Sequence, residues 1–191
     1  MARTYDNTKR ARRAAETAAQ IVTATEQLLA SERLSDVSLQ AIAERAGVTV
    51  QTVLRHMGSR AGCFEAARDR IAARVENQRG TTPVGDVDAA IADLVAHYEA
   101  EGRLVLNLLA QEETGEALSR AAVAEGRAYH RAWVERCLAP RRSRPDVPLL
   151  DALVAATDIY VWKLLRLDLG RSAHEVEATI ARLVRSTLEA S

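Results

Sequence analysis

Apolar residues recur at helical spacing in every long segment of this 191-residue chain, and no run alternates apolar and polar long enough to make a strand. Ala18, Ile21, Val22, Thr25, Leu28 and Leu29 fall on one face of a 3.6-residue period. Phe64, Ala67, Ile71 and Val75 do the same on a later helix, and Ile91, Leu94, Val95 and Tyr98 on another. A further helix is expected from about Glu116 to Leu138, with Tyr129 and Trp133 four apart on one side. Residues 149–167 are apolar on two faces, which suits one helix packed between two neighbours. The final helix opens on Ser172 and Glu175, spaced as a capping box, and carries Val176, Ile180, Leu183, Val184 and Thr187 inward. The expected fold class is all-α.

Breaks in this pattern divide the chain near residue 79. All four prolines lie beyond residue 82, and Gly80 to Gly85 reads as a connector. Ala139 to Pro145 is a second break, bounded by proline, basic, and expected as a surface loop. Charge divides at the same place. The whole chain balances 26 Lys+Arg against 26 Asp+Glu, yet residues 1–79 carry 13 basic and 9 acidic groups and residues 80–191 carry 13 and 17. Arg3, Lys9, Arg10, Arg12 and Arg13 face only Asp6 at the start, so a polyanion partner is expected at that end. An apolar share of 48% excludes wholesale disorder. The longest charge-free stretches are nine residues, 17–25 and 46–54, too short to span a membrane. No signal peptide is visible, and the expected location is the cytoplasm, at the nucleoid. Cys63 and Cys137 are too few for a disulfide framework and lack zinc spacing, so no cofactor or metal is expected.

The most informative stretch runs from Val37 to His56. Ser38 is placed to cap a short helix carrying Leu39, Ile42, Ala43 and Ala46. Gly47 can end it, since a tight turn between helices needs a residue tolerant of the left-handed conformation. Thr49 can cap the next helix, in which Val53 returns to the core, and Ala43 is small where two helices cross. This is the spacing of a helix-turn-helix. A plain αα-hairpin in a bundle has similar spacing. Against it, the second helix is short and its outward groups (Gln51, Thr52, Arg55, His56) can reach bases or phosphates. Ser59 and Arg60 follow, one to cap the next helix and one to meet a phosphate.

With Ala41 to Thr49, Thr52, His56, Ser59 and Arg60 in place, the chain resembles the tetracycline-repressor (TetR) family of transcriptional regulators over residues 10–75. The resemblance implies an N-terminal three-helix helix-turn-helix DNA-binding domain with a linking fourth helix, over residues 1–79. Residues 80–191 would be a C-terminal helical domain for ligand binding and dimerisation. It implies a homodimer on palindromic double-stranded DNA, released by a small-molecule effector, and no membrane partner. Repression rather than activation is the family expectation. Some positions depart from the family pattern: Leu54 stands where a tyrosine commonly meets a phosphate, Met57 for phenylalanine and Arg60 for lysine. Arg33 stands where glycine is frequent, and Ala61 and Gly62 replace a more helix-favouring pair.

For the bases, Gln51 can offer its amide to an adenine edge, Thr52 a hydroxyl, and Val50 a contact to a thymine methyl. Thr49 sits beside them at the helix start, and Gln40 on the preceding helix can reach a base or the backbone. Arg55, His56 and Arg60 are expected on phosphates, with Arg12 and Arg13 in a basic arm. In the second half, His97, Tyr98, Asn107, Gln111, Tyr129, Trp133 and Trp162 are the candidates to line a ligand pocket, with His130 beside them. Enzyme chemistry finds no support. No histidine has a carboxylate three residues before it, as a di-iron bundle needs, and there is no phosphate loop, His-Glu-x-x-His or nucleophile elbow. The remaining alternative is a helical ligand-binding or scaffold protein that has lost DNA binding, which Leu54 motivates.

Overall fold

The computed structural model describes residues 2–113, 117–139 and 146–190, with side chains from residue 8 onward. Helices form as the spacing predicts: α1 (Ala2–Ser31), α2 (Leu39–Ala46), α3 (Val50–Met57), α4 (Arg60–Arg79), α5 (Val87–Ala110), α6 (Ala117–Cys137), α7 (Val147–Ala156), α8 (Ile159–Lys163) and α9 (Ala173–Glu189). Among the described residues there is no strand. The expected basic loop over 140–145, the Glu116 start of α6 and the side chain of Arg3 lie outside the described residues.

Two apolar clusters hold these helices. The first gathers Ile21, Leu28 and Leu29 of α1, Ile42 of α2, Val53 of α3 and Phe64 of α4. The second gathers α5, α6, α7, α8 and α9 around Leu94, Val134, Leu153, Trp162 and Ile180. The helix α5 belongs to both: its first half lies in the second cluster, while Leu104 reaches the first. At 24 residues it is about 36 Å long, enough to run through both cores.

The connector after α4 is pinned. Thr82 is buried and donates its hydroxyl to Asp93 Oδ2 at 2.6 Å. Arg136 donates to the carbonyls of Arg79 (2.9 Å) and Thr82 (3.2 Å), and Gly85 N–H donates to the Cys137 carbonyl at 2.9 Å. Arg136 thereby satisfies the last carbonyl of α4 and Gly85 the last carbonyl of α6, neither of which has a partner within its own helix.

Two expectations about the C-terminal helices change. The apolar stretch 149–167 is broken: α7 ends at Thr157, Asp158 caps α8 by accepting from Tyr160 N–H, and residues 164–168 form one wider π turn. Thr157 turns its hydroxyl to the Leu153 carbonyl at 2.7 Å and accepts from His130, so helix interior gives way to a polar junction. In α9 the capping box of Ser172 and Glu175 forms, and Val176, Ile180 and Val184 are buried. Leu183, expected inward, is 42% exposed, because it lies on the face turned away from α5 and α7.

Candidate nucleic-acid interface

Each end of the two short helices is fixed by a side chain or a glycine. Ser38 accepts from Ala41 N–H, and Thr49 from Thr52 N–H. Between them Gly47 adopts φ 67°, ψ 31°, the left-handed conformation that only glycine takes without steric cost. The turn is closed by Val48 N–H donating to the Ala43 carbonyl at 3.0 Å. Ala43 is buried where the helices cross, and Ile42 and Val53 seat α2 and α3 on the N-terminal core. Val53 is the single fully buried side chain of α3, so the opposite side of that helix is free to face a partner.

That side carries the expected groups. Gln51 and Arg55 are exposed, and Thr52 and His56 are partly so. Thr49 and Thr52 share a hydroxyl hydrogen bond of 3.0 Å, which orients both at the start of α3. Val50 is partly buried, leaning on the core, and Gln40 on α2 is exposed with its amide donating to Glu44 at 2.7 Å. Leu54 is 40% exposed on the same ridge, an apolar contact where a hydroxyl is usual. Arg12 and Arg13 are exposed on α1, Arg12 in a loose pair with Glu16 at 3.4 Å. Amides, hydroxyls, a guanidinium and an imidazole on one convex ridge can hydrogen-bond base edges and phosphates.

Arg60, expected on a phosphate, is engaged within the protein. Its Nε donates to the Val37 carbonyl at 2.6 Å, another donor meets the Leu34 carbonyl, and the guanidinium lies 4.6 Å from the Phe64 ring centroid. It ties the start of α4 to the turn before α2. Arg60→Met is therefore expected to cost about 2–3 kcal/mol of stability by stranding two carbonyls. The check is a lower urea midpoint with the salt dependence of DNA binding unchanged; unchanged stability with a salt slope lower by about 1 would return Arg60 to the phosphates. Arg33 is extended, at φ −66°, so no left-handed residue is required there. Gly62 has a positional reason instead: a Cβ there would stand 2.0 Å from the Met57 carbonyl oxygen.

The expected pocket residues separate into two groups. Asn107 and Gln111 face the helix-turn-helix. Asn107 Nδ2 donates to the carbonyls of Leu29 (2.8 Å) and Glu32 (2.7 Å), capping the end of α1, and Gln111 Oε1 accepts from Leu34 N–H at 2.8 Å. Both act as struts between α5 and the N-terminal core, so neither lines the bundle interior. An ionic network that spacing did not reveal joins the same two regions. Arg70 holds Glu26 with two hydrogen bonds of 2.8 and 2.7 Å, and Arg74 bridges Glu26 (3.1 Å) to the buried Glu101 of α5 (2.6 Å). Burial pushes the Glu26 carboxyl up, but the hydrogen bonds and charges of Arg70 and Arg74 prevail and hold it below its ordinary value.

The other candidates meet inside the bundle. His97 and Tyr98 rings lie 5.4 Å apart, and Tyr98 and Trp162 rings 6.0 Å. The Tyr98 hydroxyl donates to the Thr157 carbonyl at 3.0 Å, and burial raises its pKa. Tyr129, His130 and Trp133 surround Arg79, which sequence inspection did not single out. Burial, helped by the Arg79 charge, pulls both His97 and His130 down to about 3, so both rings are neutral at pH 7. Trp162 is 3% exposed, and its Nε1 donates to Glu99 at 2.9 Å. Cys63 and Cys137 are buried and unpaired, and burial raises both thiols. Among the described residues no group of His, Cys, Asp and Glu could hold a metal, and no helix is long and apolar enough to cross a membrane.

Comparison with known proteins agrees with this geometry. Residues 21–67, from α1 into α4, match the family model of bacterial regulatory proteins of the tetR family. No curated protein sequence matches the chain. Among solved structures, a protein described as a TetR-family transcriptional regulator from Rhodococcus sp. is similar at 20% identity and a TM-score of 0.64, over 90% of this chain and 98% of the other. A transcriptional regulator from Rhodococcus sp. Rha1 is similar at 17% identity and 0.64, over 91% and 96%. A TetR transcriptional regulator from Rhodococcus sp. RHA1 is similar at 18% identity and 0.53, over 93% and 97%. Those likenesses concern the fold of the whole chain, while the family match falls on the helix-turn-helix itself. Residues 21–67 therefore match the tetR family of bacterial regulatory proteins, and the chain as a whole shares the fold of these three regulators.

Proposed function

We propose that this protein is a DNA-binding transcriptional regulator of the tetR type, a ligand-responsive repressor that binds a palindromic operator as a homodimer. In this reading residues 1–79 form the DNA-binding domain and residues 80–191 the regulatory and dimerisation domain. The observation that carries it is the exposed ridge of α3, with Gln51, Thr52, Arg55 and His56 outward from a helix seated by Val53. Thr49, Val50 and Gln40 flank that ridge, and Arg12 and Arg13 supply the basic arm. DNase footprinting on the DNA upstream of the protein's own gene tests it, with a protected palindrome expected. Gln51→Ala is expected to weaken specific binding roughly 10- to 100-fold, and Arg55→Ala to lower the salt slope by about 1. Sequence-independent binding without a footprint would favour the scaffold alternative.

The dimer reading rests on the exposed apolar side chains that α8, the π turn and α9 share: Tyr160, Leu164, Leu167, Leu169 and Leu183. A surface of this kind is covered economically by its own two-fold copy, whose symmetry then suits a palindrome. Sedimentation equilibrium is expected to give twice the chain mass at micromolar concentration, falling to the monomer in Leu164→Lys/Leu183→Lys. A wild-type monomer at that concentration would refute the dimer. Since the two α3 ridges of a dimer read two half-sites, the double variant is also expected to lose its footprint.

A further inference from the structure

We propose that Arg79 and His97 form the anion-recognition point of an effector site for a small molecule bearing one carboxylate on an apolar or aromatic body. The proposal rests on reading the C-terminal bundle as the effector-binding part, and it names the chemical class that part would take.

Arg79 is 2% exposed, and no carboxylate among the described residues pairs with it. Its Nε has no hydrogen-bond partner, and neither has His97 Nδ1, on a ring 7% exposed. The acid nearest in effect, Asp93, accepts from the Thr82 hydroxyl at 2.6 Å. What Arg79 does touch is neutral: His130 Nδ1 at 3.1 Å from one terminal nitrogen, the Trp133 ring at 4.0 Å and the Tyr129 ring at 5.5 Å. Contact with ring faces offsets only part of the desolvation of a buried guanidinium. Burial accordingly pulls the Arg79 pKa down.

The surroundings select the ligand. One cation beside two neutral imidazoles repels a second cation and gives a neutral group little reason to bind. A monoanion satisfies the charge. A carboxylate matches it best, because it only accepts hydrogen bonds, and both unpartnered atoms, Arg79 Nε and His97 Nδ1 in its protonated tautomer, are donors. A phosphate dianion carries more acceptors and charge than one guanidinium and one ring can answer. Tyr98, Tyr129 and Trp133 make the surroundings aromatic, which suits an apolar or aromatic body. Tyr129 and His130 are the partly exposed members of the group, so the route from solvent runs past them. Arg79 is also the last residue of α4, whose first residue lies three beyond the end of α3. A ligand held there acts on the helix that carries the DNA-reading end.

Thermal unfolding and tryptophan fluorescence of the full chain, without DNA, test the site. The probes are benzoate, phenylacetate, octanoate and dodecanoate at pH 7, each against its primary amide, with inorganic phosphate as a further arm. At least one carboxylate is expected to raise the melting temperature by several degrees while its amide does not. Arg79→Met is expected to melt at or above the wild type and to weaken that probe at least tenfold. Should Arg79→Met fail to fold, His97→Phe is expected to weaken the probe several-fold by the same readout. Four results would each overturn the proposal: no response to any carboxylate, amides matching their acids, phosphate alone protecting, or an undiminished response in the variant that folds. A protein that takes a carboxylate but shifts no DNA leaves this site standing and refutes the operator reading instead.

Discussion

Lowering the pH from 7 to 5 is expected to remove about 4 kcal/mol of folding stability, roughly 2 kcal/mol from each of His97 and His130. Burial comes first for both rings, followed by the Arg79 charge and, for His97, by the His130 ring as well. Tyr98, Tyr129 and Thr157 complete the neutral surroundings. Both rings have folded values of about 3 against an ordinary 6.5, so the unfolded chain takes up protons first. The stabilisation is complete above pH 6.5 and drains away as pH falls towards 3. Glu26 is also held below its ordinary 4.5, so its contribution is lost only below that value and leaves the pH 5–7 window to the histidines. Urea unfolding at pH 7, 6 and 5 in buffers free of small carboxylic acids is the measurement. His97→Phe/His130→Gln is expected to flatten the decline. An unfolding midpoint that is level from pH 7 to 5, or a slope unchanged in the double variant, would show that the rings accept protons in the folded state.

The same buried cluster marks where reading the sequence stops. The helix-turn-helix was legible because its determinants are local: Ser38, Gly47 and Thr49 lie within a residue or two of the elements they terminate, and each acts as its chemistry predicts. Ser59 and Ser172 were legible as caps for the same reason. The internal bonds of Arg60 were not, because their acceptors are carbonyls 23 and 26 residues away, and a surface cation and an internal strut look alike in sequence. Asn107 and Gln111 share that difficulty, with partners 75 to 78 residues distant. Arg79 ends a polar stretch of α4 and looks solvated. Its burial arises only when α6 brings Tyr129, His130 and Trp133 against it. The break between α7 and α8 had one local sign, Asp158, hidden inside an apolar run that also fits a continuous helix.

Trp162→Ala is expected to destabilise the protein by about 3–5 kcal/mol, the cost of emptying an aromatic site in a packed interior. Its ring lies so close to α5 that a Cβ on Gly102 would stand 2.7 Å from two ring carbons, and its Nε1 holds Glu99, which also pairs with Arg166 at 2.9 Å. Glycine inside α5 is intrinsically unfavourable by about 1 kcal/mol against alanine, so its presence there reflects this contact. Gly102→Ala alone is accordingly expected to destabilise by about 1–3 kcal/mol through overpacking. In the Trp162→Ala background the same substitution should reverse sign, since the added methyl meets open space and improves the helix. The double variant is thus expected to be more stable than Trp162→Ala by up to about 1 kcal/mol, a coupling that urea midpoints resolve. Additive costs would mean that the ring and α5 do not press on each other. The contact matters beyond α8 itself, because Trp162 is the buried anchor just before the turn that carries Leu164, Leu167 and Leu169 outward. In the proposed dimer, loosening it should weaken self-association as well as folding, whereas Gly102→Ala/Trp162→Ala, with its repaired α5, should recover stability before it recovers the dimer.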